Sequence, residues 1–328
     1  MKIFVYSYRK FDEEPFFQAI AEEFGAKLGV CSDAPTMENA HLAEGYDYIS
    51  IITTRIDADL VTRFYELGIK MISTRTIGYD HIDMEQAKRL GVKVSNATYS
   101  PYCVADYALM LMLMCVRKMK FIMSKAAIQD FSLPGNIGKE LPRMTVGIIG
   151  TGKIGETVIH YLAGIGCRIL AYDLYEKESV KQYARYVSLD ELYRESDLIS
   201  LHIPASSEDY HMISEDSIRK MKDQVILVNT ARGSLIDSEA LIRNLENGKI
   251  GAAGLDVVEN EFGLYYYDKK REAMDNRELA ILKSFPNVIV TPHMAFYTNE
   301  AVRDMVYSSI KSCYLDSEGK ENPWLVGK

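Results

Sequence analysis

Residues 145–155, Thr-Val-Gly-Ile-Ile-Gly-Thr-Gly-Lys-Ile-Gly, constrain the fold more than any other stretch. An apolar run, Val146 to Ile149, ends in Gly150-x-Gly152-x-x-Gly155, and the amphipathic pattern from Thr157 to Leu162 continues as a helix. Gly150 permits the tight turn, Gly152 lets backbone approach a pyrophosphate, and Gly155 lets helix and strand pack closely. With Lys153 and Ile154, the start of that helix presents free N–H groups and a positive dipole end to an anion. A second strand, Arg168 to Tyr172, ends in Asp173, eighteen positions after Gly155, where a carboxylate would take an adenosine ribose hydroxyl. That aspartate repels a 2′-phosphate, and Leu174 and Tyr175 offer no arginine to hold one. The expected cofactor is therefore NAD and not NADP.

Composition narrows the partners. The chain has 328 residues, of which 48% are hydrophobic and 26% charged, enough for two ordinary globular domains. A net charge of −8 disfavours nucleic acid and anionic membrane surfaces. The basic cluster Arg117, Lys118 and Lys120 reads as a solvated helix end. The first residues read as a strand and not as an export signal. Cys31, Cys103, Cys115, Cys167 and Cys313 are scattered without paired spacing, which fits reduced thiols in the cytoplasm. The apolar stretch Tyr107 to Val116 is too short to span a bilayer and reads as a buried or interface helix.

In chain order, strand patterns at Ile3–Tyr6, Ala26–Val30, Tyr48–Ile52, Lys70–Ser73 and Val92–Val94 alternate with helical ones at Phe16–Phe24, Met37–Glu44, Ala58–Leu67 and Asp83–Leu90. A long helix, about Tyr102 to Lys120, should carry the chain into a second domain, with a loop from Asp130 to Pro142 after it. Strands at Leu198–Ile203, Val225–Asn229, Gly251–Leu255 and Val288–Thr291 follow, with helices at Ser214–Met221 and Ser238–Asn247 between them. The last helix, about Asn299 to Ser317, is long enough to return to the first domain. The expected fold is α/β with two doubly wound parallel sheets. A Rossmann-type NAD domain, residues 100–295, is inserted in a discontinuous flavodoxin-like substrate-binding domain, residues 1–99 and 296–328.

Ligands of such sheets sit beyond the carboxyl ends of the strands. Arg232 follows one strand, Glu261 lies five residues beyond Asp256 at the end of another, and His293 follows a third. Each alone fits a structural role: a surface ion pair, a solvated carboxylate, a histidine capped in a turn. Their joint position on the cofactor edge makes them candidates for chemistry.

With these motifs in view, the sequence resembles the NAD-dependent D-2-hydroxyacid dehydrogenase family over essentially its whole length. The resemblance rests on the glycine motif, Asn229-Thr-Ala-Arg-Gly233, Gly254-Leu-Asp-Val-Val-Glu-Asn-Glu261 and Thr291-Pro-His-Met-Ala-Phe-Tyr297. Ser73-Thr-Arg-Thr-Ile-Gly-Tyr-Asp-His-Ile-Asp83 and the stretch Tyr99 to Met114 are most similar to the D-lactate dehydrogenase branch, including the vancomycin-resistance type. Phe262 with the insert Gly263 to Asn276, and Ala295 to Thr298 in place of a glycine pair, depart from the wider family in the manner of that branch.

The resemblance implies that Arg232 binds the substrate carboxylate and polarises its ketone, that His293 is the acid/base, and that Glu261 partners His293. A guanidinium fork suits a 2-oxo acid, and a protonated imidazole can donate to the ketone oxygen as hydride arrives. Ile77 and Gly78 are implied as backbone donors to the carboxylate, Tyr99 and Phe296 as pocket residues. Thr230, Ala231 and Asp256 are implied beside nicotinamide, and Ile203 and Pro204 along the adenosine. His41, His81, His160, His202 and His211 lack ligand spacing, so no metal is expected.

The expected activity is NADH-dependent reduction of pyruvate to D-lactate, with bulkier 2-oxo acids such as 2-oxoisocaproate or phenylpyruvate as the alternative. An NAD-sensing binding protein is more remote, because the Arg232, Glu261 and His293 set is intact. An L-lactate dehydrogenase is disfavoured, because a whole α/β domain precedes the glycine motif. The Met-rich helix from Ala105 to Met123 predicts a homodimer, and the split domain predicts closure near Tyr99 and Phe296.

Overall fold

The apolar runs become short strands, nearly all of them parallel. A computed structural model describes residues 1–261, 263–266 and 268–327; Phe262, Tyr267 and Lys328 lie outside the described residues. In chain order the strands are β1 (Lys2–Val5), β2 (Lys27–Val30), β3 (Tyr48–Ile51), β4 (Met71–Thr74), β5 (Lys93–Ser95), β6 (Thr145–Ile149) and β7 (Arg168–Tyr172). There follow β8 (Arg185–Tyr186), β9 (Leu198–Leu201), β10 (Val225–Asn229), β11 (Ile250–Leu255), β12 (Val288–Val290) and β13 (Leu325–Val326). The chain divides into two compact units, residues 1–100 with 297–328, and residues 101–296.

The first unit holds a six-stranded sheet of order β13-β5-β4-β3-β1-β2. Its five parallel strands follow the flavodoxin-like order, with the switch point where β1 lies between β2 and β3. The two-residue β13 adds an antiparallel edge to β5, which the sequence reading did not contain. The helix Asn299–Ser317, capped by the Thr298 side chain, buries Val306, Ile310 and Cys313 against Ile3, Val5 and Met71. That packing is why the last segment belongs with the first hundred residues.

The second unit holds an all-parallel seven-stranded sheet of order β12-β11-β10-β9-β6-β7-β8. Numbered from the glycine strand, this is the doubly wound dinucleotide-binding order with one strand added, and the direction of winding changes where β6 lies between β7 and β9. Both faces are covered, so β6 and β10 are buried at every position. Ile148 and Ile149 enter opposite cores, each burial being worth roughly 2 kcal/mol.

Three sequence expectations need correction. The helix expected over Tyr102 to Lys120 ends at Val116; Lys118 turns left-handed at φ 54°, and a second helix runs Met119–Ala127. Lys120 is no solvated end, because its ammonium donates to the carbonyls of Lys283, Phe285 and Val288 at 2.8, 2.6 and 2.7 Å and so closes the C-terminus of the helix Arg277–Ser284. The helix expected over Met37–Glu44 is only the 3-10 turn Ala40–Ala43, because Asn39 and Thr36 bond each other's backbone and fix a turn first.

Candidate active site

At the end of β6 the glycines behave differently from one another. Gly150 is left-handed at φ 95°, and a Cβ there would lie 2.6 Å from the His202 carbonyl oxygen. A Cβ on Gly155 would lie 1.9 Å from the Gly150 carbonyl oxygen, so the close packing of strand, turn and helix depends on that position. A Cβ on Gly152 would meet nothing within 4 Å. The protein's own packing does not require glycine at 152, and the open space above it suits a bound group that needs the backbone bare. Gly152 caps the helix Lys153–Ile165 without any side-chain hydrogen bond, leaving the first-turn donors to a ligand. Lys153 is exposed there and Ile154 half-buried.

Asp173, at the end of β7, ties the glycine turn together. Its Oδ2 accepts the Thr151 N–H at 2.6 Å and the Thr151 hydroxyl at 3.1 Å, and its Oδ1 accepts the Tyr175 N–H at 3.0 Å. Burial acts to raise its pKa, but these hydrogen bonds and the Lys177 charge outweigh that effect and hold it below the usual carboxylate range. The carboxylate thus pins the glycine turn. Ile203 and Pro204 follow β9 next to the turn, and the Ile203 side chain is one of the groups a Gly150 Cβ would meet. Thr230, after β10, is buried, and its hydroxyl has no hydrogen-bond partner among the described residues. An orphaned buried hydroxyl and an open glycine cradle on one strand edge fit a dinucleotide.

The candidate acid-base pair comes from the loops after β11 and β12, which are neighbours in the sheet. His293 Nδ1 lies 2.5 Å from Glu261 Oε1, and Glu261 Oε2 accepts the Val258 N–H at 3.0 Å. His293 is left-handed at φ 54°, a conformation that costs about 1 kcal/mol or more for a residue with a side chain. The surroundings hold it there: its N–H donates to the carbonyls of Asp256 and Thr291 at 2.8 and 3.0 Å. Asp256, fully buried, accepts from the Thr291 hydroxyl at 2.6 Å and from the Met294 and Ala295 N–H groups at 2.8 Å each. Burial raises the Asp256 pKa, and those three donors and the His293 charge only partly oppose it. Its carboxylate is occupied in shaping the histidine turn. That support role was not part of the sequence reading, which placed Asp256 beside nicotinamide.

Arg232 leaves the end of β10 in a loop formed by Asn229, whose fully buried carboxamide donates to the Arg232 carbonyl at 2.8 Å and accepts the Ala231 N–H at 2.9 Å. A Cβ on Gly233 would lie 2.1 Å from the Val258 carbonyl carbon, so the arginine loop and the loop leading to Glu261 touch backbone to backbone. Tyr266, in the insert, donates its hydroxyl to the His293 carbonyl at 2.9 Å, and its ring stands 6.2 Å from Phe296 at 90°. Phe296 is also 6.4 Å from the His293 ring at 80°. Nothing in the spacing of the insert pointed to Tyr266, because only the folded loop returns it to the histidine. In the first unit, Ile77 and Gly78 follow β4, Ile77 with 38% of its surface exposed, and Tyr99 is partly buried. Among the described residues no cluster of side chains could hold a metal ion, and no helix is long and apolar enough to cross a membrane.

The family model for the D-isomer specific 2-hydroxyacid dehydrogenase NAD binding domain matches residues 109–295. The chain is 44% identical to an aromatic 2-oxoacid reductase of Clostridium sporogenes, over 93% of both chains. It is 42% identical to a D-specific alpha-keto acid dehydrogenase of Enterococcus faecium, covering 94% of this chain and 95% of that one. Among solved structures, a D-lactate dehydrogenase of Treponema pallidum is similar over the whole of both chains, with a TM-score of 0.89 and 32% identity.

Proposed function

Because the chain belongs to the D-isomer specific 2-hydroxyacid dehydrogenase family and is an NAD-dependent oxidoreductase, we propose that its substrate is a bulky 2-oxo acid of the phenylpyruvate type, reduced to the D-2-hydroxy acid. The observation that carries this reading is the match to the aromatic 2-oxoacid reductase along nearly all of both chains. It shifts the expectation away from pyruvate. The Tyr266 and Phe296 rings beside His293 support it, since a third aromatic ring packs well edge-to-face in such a corner. Pyruvate reduction is the second reading, supported by the whole-chain likeness to the D-lactate dehydrogenase.

In this reading the turn Gly150–Gly155 would hold the diphosphate of the reduced cofactor and Asp173 its ribose, and the bound cofactor would supply a hydride. Thr230 and Ala231 would border the nicotinamide side, and Ile203 and Pro204 the adenosine side. Arg232 takes the substrate carboxylate in its planar fork and polarises the ketone. Glu261 occupies His293 Nδ1, which leaves Nε2 as the atom that delivers the proton to the ketone oxygen. In oxidation the neutral ring holds its proton on Nδ1, toward Glu261, and receives the hydroxyl proton at Nε2. The N–H groups of Ile77 and Gly78 are the second set of carboxylate donors, with Tyr99 and Phe296 in the pocket wall.

The partner proposal is a second copy of the chain. Met110 and Leu113 are exposed on their helix, and Ile128, Phe131, Leu133 and Ile137 beyond it expose more than three quarters of their surface, up to 85%. A self-associating face would cover them. Light scattering at micromolar concentration should give twice the chain mass.

Reduction of phenylpyruvate with NADH, followed by chiral separation of the product, tests the reaction directly. D-phenyllactate from the native protein, lost in H293A, is the expected result. An L product, or no turnover with phenylpyruvate, 2-oxoisocaproate or pyruvate, would refute the assignment.

A further inference from the structure

Three successive carbonyls in the turn after β4 are tied back. The Thr76 carbonyl accepts the Ala97 N–H at 2.8 Å, the Ile77 carbonyl accepts from Asn96 Nδ2 at 2.8 Å, and the Gly78 carbonyl accepts the Thr76 hydroxyl at 2.6 Å. In a trans peptide the C=O and the next N–H point to opposite sides, and the chain contains no cis bond among its described residues. Anchoring the Thr76 carbonyl on Ala97 therefore turns the Ile77 N–H away from residues 96–97, and anchoring the Ile77 carbonyl on Asn96 turns the Gly78 N–H the same way. Neither N–H has a hydrogen-bond partner among the described residues. Two adjacent outward backbone donors form a receptor for an anion.

The side chains behind the turn form a directed chain. A threonine has one hydroxyl proton, and that of Thr76 goes to Gly78. The Thr74 hydroxyl, 2.7 Å away, must then donate to Thr76, and Thr74 in turn accepts from His81 Nε2–H at 3.1 Å. The base of the turn is fixed by Arg75, fully buried and bonded to Glu13 at 3.1 Å and to Ser50 at 3.0 Å. Asn96 itself is placed by its N–H on the Trp324 carbonyl at 3.0 Å, beside the β13 edge.

We propose that Asn96 and Thr76 are positioning residues for substrate binding: the Asn96 carboxamide sets the Gly78 N–H, and the Thr76 hydroxyl fixes the peptide after it, so that the turn receives the carboxylate of the 2-oxo acid. The inference rests on the proposed reaction and adds to it the residues that orient one donor set. Asn96 reaches no substrate atom in this account; it acts through the Ile77–Gly78 peptide. Replacing it by aspartate keeps the shape but sets an acceptor against the Ile77 carbonyl, which rotates the peptide.

The test is steady-state kinetics of the full-length N96D, T76V and T76S variants with phenylpyruvate, together with inhibition by oxamate, a 2-oxo acid mimic that is not reduced. N96D should raise KM and the oxamate inhibition constant together by about tenfold, with kcat within about twofold and NADH affinity unchanged. T76V should raise both constants about threefold, and T76S, which keeps the hydroxyl, should restore them. If the native protein reduces phenylpyruvate while N96D and T76V keep native KM and oxamate inhibition, the positioning role is wrong and the reaction stands. If the native protein reduces no 2-oxo acid, the reaction assignment fails and this inference with it. A fall in melting temperature without a change in KM also overturns the proposal, since a merely structural residue would behave that way.

Discussion

In the proposed reading the two sheets solve one problem, presenting backbone N–H groups to an anion at a strand end, by different means. In the second sheet the donors come from regular structure: a glycine turn empties the space above β6, and a helix start supplies the N–H groups. In the first sheet they come from an irregular turn after β4, whose peptides are oriented by Asn96, Thr76 and the Ala97 backbone. A helix N-terminus with glycines tolerates a large, variable ligand surface. A side-chain-held turn fixes two donors for one small group.

The division can be broken most sharply at His293. Chemistry placed at the ends of β11 and β12 requires that H293A lower kcat by ~10³-fold with NADH affinity unchanged; stopped-flow NADH binding and turnover measure both, and retention of a tenth of the activity would remove the histidine from the mechanism. Next in size is G155A. Its added methyl collides with the Gly150 carbonyl, so NADH affinity should fall more than ~10-fold with a lower melting temperature, while the first sheet is untouched. D173N should weaken NADH by about 1–2 kcal/mol, through the lost charge at the ribose and the loosened Thr151 N–H, and should narrow the preference for NADH over NADPH. Unchanged NADH titration would confine Asp173 to the turn.

A separate effect, on stability and not on catalysis or binding, comes from a histidine of the second unit. Burial pushes the His202 pKa from 6.5 down to about 4. The unfolded chain takes up this proton near pH 6.5 and the folded chain does not, so stability falls as pH drops through that window and levels off below about pH 4, a total change on the order of 3 kcal/mol. Denaturant titrations at pH 7 and pH 5 measure it, and H202Q should flatten the difference.

The same contrast explains what could be read from the sequence. The glycine strand and its helix were legible because each glycine answers to a local backbone demand, and the helix Asn299–Ser317 was legible because its amphipathic run is long and well capped. The break at Lys118 was not, since a left-handed lysine leaves no mark in composition. Lys120 closes a helix more than 160 positions away, and Tyr266 and Asp256 act on the His293 turn through contacts that only folding creates. Asn96 and Thr76 belong to the same group: short polar residues near a turn, whose orientation of a neighbouring peptide has no periodicity.

The substrate class is decided by kcat/KM for phenylpyruvate and for pyruvate on the native protein with NADH. A ratio of ten or more in favour of phenylpyruvate is the predicted result, with the aromatic corner at Tyr266 and Phe296 receiving the side chain. A ratio favouring pyruvate would contradict it and return the chain to the D-lactate reading.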